Sequence, residues 1–124
     1  MPAVTAPTDI LITGGAGFIG ASLVERFLAN GHSVTAFDVA PFDRLTPQAG
    51  LTCIHGDVSD YDRVDALVAA SRRVVHLAAV VGVDEYMADP ALVLDVNIIG
   101  TRNVLHACMR HDRPVLFTSS SEIY

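Results

Sequence analysis

The chain has 124 residues, a length that suits one domain, and 51% of them are hydrophobic, enough for a real core. Its net charge of −6 argues against a nucleic-acid partner, whose phosphate backbone needs a basic surface. No apolar run reaches the ~18 residues of a membrane span, and residues 1–9 lack the charged start and apolar centre of a secretory signal; a cytoplasmic protein is expected.

The first element is an apolar strand at residues 10–13. It runs directly into Thr13-Gly-Gly-Ala-Gly-Phe-Ile-Gly20, and a helix follows over residues 17–30. Strand, glycine-rich turn and helix start are the parts of a dinucleotide site. Gly14, Gly17 and Gly20 allow the tight turn, the approach of backbone to a diphosphate, and close helix packing. Unpaired N–H groups at the helix start, beside Phe18 and Ile19, then face the phosphates. In this helix Ser22, Glu25, Arg26 and Ala29 form an exposed stripe, and Gly31 suits the left-handed residue that ends it.

A second strand at residues 33–38 ends in Asp38, 18 residues beyond Gly20. A carboxylate there accepts hydrogen bonds from adenosine ribose hydroxyls and repels a 2′-phosphate, which favours NAD over NADP. A strand-end acid capping the next turn is the plainer alternative. Residues 40–50 contain Pro41, Pro47 and Gly50 and read as a loop. After a third strand at residues 51–55, Asp57 and Val58 are candidates for the adenine amino group and ring face. Asp57 also suits the start of the helix at residues 60–70.

The fourth strand, residues 73–77, ends in His76-Leu77-Ala78-Ala79. Ligands of parallel sheets bind at such strand tips, and small Ala78 and Ala79 let backbone approach the cofactor. His76 itself reads as a satisfied strand histidine. Val81, Gly82, Glu85 and Tyr86 follow on an expected loop as substrate candidates.

A long helix is expected over residues 90–111. At about 100° per residue, Arg102, His106 and Arg110 fall within about 60° of Asp95. Nearly all the rest is apolar, so this helix is expected between its own sheet and another helix. Asn97 and Thr101 fall inside the apolar face, where they need partners; Asn97 is expected to hold strand-end backbone around the site.

A fifth strand at residues 114–118 leads to Ser119-Ser120-Ser121-Glu122 at the ligand end. A serine there can bond a sugar oxygen, and a partly desolvated Glu122 can act as general acid or base. Cys53 and Cys108 are too few and too far apart for a metal cluster and are expected to be reduced, core or near-core thiols. The alternation predicts an α/β fold: the first five strands of a Rossmann-type doubly wound parallel sheet, with residues 1–124 as the N-terminal part of an NAD-binding domain whose later strands and substrate region lie beyond this sequence.

Together the glycine run, Asp38, Gly56-Asp57-Val58, His76-Leu-Ala-Ala79, Asn97-Ile-Ile-Gly-Thr101 with Asn103-Val104-Leu105, and Ser119-Ser-Ser-Glu-Ile-Tyr124 resemble the extended short-chain dehydrogenase/reductases. These are nucleotide-sugar epimerases, dehydratases and decarboxylases. The resemblance implies tightly held NAD, a hydride taken from a sugar carbon (often C4), a transient keto-sugar and a homodimer built on the helix at residues 90–111. Ser120 matches the hydroxyl residue that assists the family's catalytic tyrosine. Glu122 resembles the second catalytic acid of UDP-glucuronate decarboxylases and some dehydratases. The family's Tyr-x-x-x-Lys pair has no counterpart, since the chain contains no lysine, so these 124 residues alone are expected to be inactive. A non-catalytic dinucleotide-binding protein and a reductase of small carbonyl compounds are the alternatives.

Overall fold

Short runs rich in Ile, Leu, Val and Thr, free of internal turn residues, become the strands. In the computed structural model, which describes residues 7–120, they are β1 (Thr8–Thr13), β2 (Val34–Asp38), β3 (Leu51–His55), β4 (Ser71–His76) and β5 (Val115–Phe117). All pair in parallel, in the order β3-β2-β1-β4-β5. The helices are α1 (Phe18–Ala29), α2 (Tyr61–Ala69), α3 (Val83–Ala88), α4 (Pro90–Leu94) and α5 (Thr101–His111), with a π turn (Asp95–Gly100) between the last two. This is the first-half order of a Rossmann sheet.

Alternation along each central strand divides the core between two faces. Ile10 and Ile12 of β1, with Ala36 and Val75, pack against Ala21 and Val24 of α1. Leu11, Phe37 and Val74 face the other way, onto Val64 and Leu67 of α2 and Val104 and Ala107 of α5. Helices therefore cover both faces of β1, β2 and β4, which explains their nearly unbroken apolar runs. Each such Val, Leu or Ile contributes about 1.5–3 kcal/mol by leaving water. Leu45, from the otherwise irregular loop after β2, is buried on the α1 side.

Three expectations need correction. Cys53, expected as a core or near-core thiol, is exposed on edge strand β3, and β3 and β5 are mostly partly or fully exposed. Residues 82–86 are not loop: Gly82, at φ +110°, starts α3, and Glu85 lies within that helix. The single helix over residues 90–111 is interrupted by the π turn. Counting apolar periods cannot reveal one widened turn, because the apolar pattern continues through it.

Packing of residues 90–111 also departs from the simple sandwich. On one flank, Asp65 of α2 accepts hydrogen bonds from His111 at 2.9 Å and Arg110 at 3.4 Å. On the outside, Leu94, Ile98, Leu105 and Met109 are exposed. Among the described residues no helix is long and apolar enough to cross a membrane.

Candidate cofactor site

The sheet's strand order reverses beside β1: β2 and β3 extend it one way, β4 and β5 the other. In open parallel sheets the crevice at such a switch point receives the ligand. A cavity of about 910 Å³ lies there, within the roughly 300–1,000 Å³ of small-molecule sites.

The glycine turn forms its floor, and each glycine has a separate reason. Gly14 has φ +74°, and a Cβ on it would sit 2.8 Å from the Ala78 nitrogen. A Cβ on Gly20 would run into the Gly14 carbonyl oxygen. Gly17 is different: an added Cβ meets nothing closer than the Gly14 oxygen at 3.4 Å, and the residue borders the cavity. Gly17 is also the N-cap of α1, and no side chain caps that helix. Phe18 and Ile19, 75% and 62% exposed, stand on the cavity wall instead of in the core.

Asp38, at the tip of β2, lines the cavity and touches the turn. One carboxylate oxygen accepts from the Ala16 N–H at 3.0 Å and the other from the Ala40 N–H at 3.0 Å. A carboxylate accepts about four hydrogen bonds, so capacity for ribose hydroxyls remains. The cap reading and the ribose reading are thus compatible. Asp57 accepts from the Ser59 N–H at 2.9 Å, while Asp60 is the residue that caps α2. Val58 is buried but reaches the cavity wall, held from below by Gly100, where any Cβ would strike it. Asn103 of α5 secures the same loop, donating to the Val58 carbonyl at 2.9 Å and the Ser59 carbonyl at 3.1 Å.

At the tip of β4, Leu77, Ala78 and Ala79 line the cavity. Asn97 braces the segment that follows: it accepts from the Val80 N–H at 2.8 Å and donates to the Val80 carbonyl at 3.0 Å. His76 is buried, and desolvation pushes its pKa down to about 4. Val81 and Tyr86 reach the cavity, whereas Gly82 and Glu85 do not line it. A Cβ on Gly82 would collide with the Glu85 carboxylate, which folds back over it. Ser119 and Ser120 border the cavity beside Phe117. Ser121 and Glu122 lie outside the described residues.

Sequence reasoning missed Thr13 and Asn103 as braces, and Phe117 and Leu92 as wall residues. Thr13 pairs with His76 across β1 and β4, a register that only the folded sheet reveals. Asn103 stood only within the family motif Asn103-Val104-Leu105, with no role attached.

The residues present suit a dinucleotide. Its diphosphate would meet backbone N–H groups and the positive end of α1, because no lining residue among those described is Lys or Arg. Arg44 stands 5.7 Å over the Phe18 ring, beside the rim.

Residues 10–124 match the family model of the NAD dependent epimerase/dehydratase family. The chain belongs to that family. It is 39% identical over 122 residues to a dTDP-glucose 4,6-dehydratase of Mycolicibacterium smegmatis, covering 93% of this chain and 37% of that protein. It is 37% identical over 118 residues to a UDP-N-acetyl-alpha-D-glucosaminuronate decarboxylase of Bacillus cytotoxicus, covering 92% and 37%. Among solved structures, MoeE5 in complex with UDP-glucose and NAD superposes with a TM-score of 0.80 at 34% identity, over 94% of this chain and 38% of that one. The chain thus spans well under half the length of its relatives, and they catalyse different reactions.

Proposed function

We propose that this family member is the cofactor half of an NAD-dependent enzyme that modifies a nucleotide-sugar. In this reading a sugar carbon, often C4, is oxidised to a transient keto-sugar that is then epimerised, dehydrated or decarboxylated. The observation that carries it is the uncapped start of α1 at Gly17, bordering a strand-tip crevice that Asp38 also lines.

Bound NAD supplies the hydride acceptor. The chain's own residues do the placing. Gly14, Gly17 and Gly20 with the N–H groups of Phe18 and Ile19 receive the diphosphate, and Asp38 takes the adenosine ribose. Asp57 and Val58 meet the adenine, while Leu77, Ala78 and Ala79 border the centre of the cofactor and Asn97 keeps that border in register. Ser120 bonds the reacting sugar oxygen. Glu122 serves as a second acid or base, the feature that favours a decarboxylase-like or dehydratase-like reaction over epimerisation. Val81, Gly82, Glu85, Tyr86 and Ser121 belong to the substrate side; of these, Val81 and Tyr86 have the direct geometry.

The partner we assign to the outer face of residues 90–111 is a second copy of the protein. The test is to incubate the full-length protein with UDP- and dTDP-sugars and follow transient NADH absorbance and product mass. Keto-sugar or altered sugar is the expected result, reduced strongly by Glu122→Gln if the acid acts chemically, while residues 1–124 alone give no turnover. A protein that binds NAD yet leaves every nucleotide-sugar unchanged would refute the assignment.

A further inference from the structure

We propose that His76 is a positioning residue for the cofactor site: a neutral imidazole, protonated on Nε2 alone, that carries one directed hydrogen-bond chain from Thr13 to Thr101.

The direction follows from counting protons. The Thr13 hydroxyl oxygen accepts from the Leu77 N–H at 3.1 Å and from the Ala78 N–H at 3.2 Å. A hydroxyl has two lone pairs and one proton. The Leu77 N–H is shared with the Thr13 carbonyl at 3.0 Å, yet both backbone donors face the hydroxyl oxygen, so the hydroxyl proton turns to His76 Nδ1, 2.6 Å away. Nδ1 is then an acceptor, and the ring proton sits on Nε2, which donates to Thr101 Oγ1 at 2.9 Å. The other tautomer would aim a third donor at an oxygen that two backbone N–H groups already face, as would the imidazolium. His76 is only 1% exposed although it borders the cavity, so little water reaches the ring to repair either arrangement.

The chain joins three parts of the site. Thr13 precedes Gly14 of the diphosphate turn. Leu77 and Ala78, held by the same hydroxyl, are the backbone against which Gly14 packs. Thr101 opens α5 directly after the π turn that carries Asn97. Phe117, just before Ser119 and Ser120, stacks on the ring with centroids 5.8 Å apart and planes 17° apart. Neighbours on β1, β4, α5 and β5 therefore keep one geometry only while the imidazole keeps one tautomer.

The tautomer claim stands by itself, whereas its effect on affinity rests on the NAD reading. Long-range proton–nitrogen spectra of the ligand-free full-length protein, assigned with His76→Gln, should show a neutral Nε2–H ring across roughly pH 5 to 8. An Nδ1–H ring, or one that titrates with an ordinary histidine pKa, overturns the proposal. Thr101→Val should weaken NAD binding about tenfold, the scale of one lost buried hydrogen bond, and Thr101→Ser should restore it. Wild-type affinity in Thr101→Val, or equal losses in both variants, overturns the coupling. Absence of NAD binding by the unaltered protein sinks the cofactor reading and the coupling with it, leaving the tautomer to the spectra.

Discussion

Two glycines three residues apart do separable work. At Gly20 any side chain meets the Gly14 carbonyl, which is backbone and cannot swing aside. Gly20→Ala should therefore lower stability by about 2 kcal/mol or more, read by urea unfolding. At Gly17 the backbone has φ −74°, which every residue tolerates, and an added Cβ makes only an ordinary contact, 3.4 Å from the Gly14 oxygen. Gly17→Val should lose only about 1 kcal/mol of stability, the cost of a poorer N-cap, yet weaken NAD at least about thirtyfold by calorimetry, roughly 2 kcal/mol of binding. Equal NAD affinity in that variant would remove Gly17 from the diphosphate floor. His76 predicts a pH dependence. Its pKa is about 4 when folded against an ordinary 6.5. Above pH 6.5 both states are neutral there and nothing is lost. Between about 6.5 and 4 the unfolded chain gains the proton first, so stability falls as pH drops, by up to roughly 3 kcal/mol. Urea unfolding at about pH 7 and about pH 4.5 should show this loss in wild type and not in His76→Gln.

Among the elements, the widened turn at Asp95–Gly100 sets how α5 meets the β3 and β4 tips. Gly100 touches Val58, and Asn103, on the same side, holds the Val58 and Ser59 carbonyls. Gly100→Ala gains about 1 kcal/mol of helix propensity but overpacks a buried valine, costing about 1–3 kcal/mol. The net expectation is about 1 kcal/mol of destabilisation, with a shifted Val58 methyl signal in the NMR spectrum; a stabilised variant would contradict the packing. The strands, α1 and the loop at residues 40–50 were legible because apolar runs and glycine or proline punctuation encode them locally. Asp38 and Asn97 were legible as well, one by its distance from the glycine run and the other as a polar residue on an apolar helix face. The π turn, α3 and the edge exposure of β3 were not. They depend on which side chains meet across the fold, and Glu85 folding over Gly82 leaves no trace in composition.

At the scale of the whole molecule, an incomplete surface is the main feature. Leu94, Ile98, Leu105 and Met109 lie exposed on one face and Leu116 and Phe117 on the last strand. Apolar surface of this extent marks an interaction face. If the proposed second copy docks here, the full-length protein sediments as a dimer and Met109→Glu shifts it to monomer at equal concentration; a monomeric unaltered protein, or an unchanged dimer in the variant, would contradict that partner. Central to everything here is the reception of a dinucleotide across the strand tips. A crystal structure of the full-length protein grown with NAD tests that most directly. The account predicts the diphosphate over Gly17 at the start of α1, with the adenosine ribose hydroxyls on Asp38. Density for the cofactor anywhere but the β1–β4 crevice, or a diphosphate turned away from α1, would contradict it.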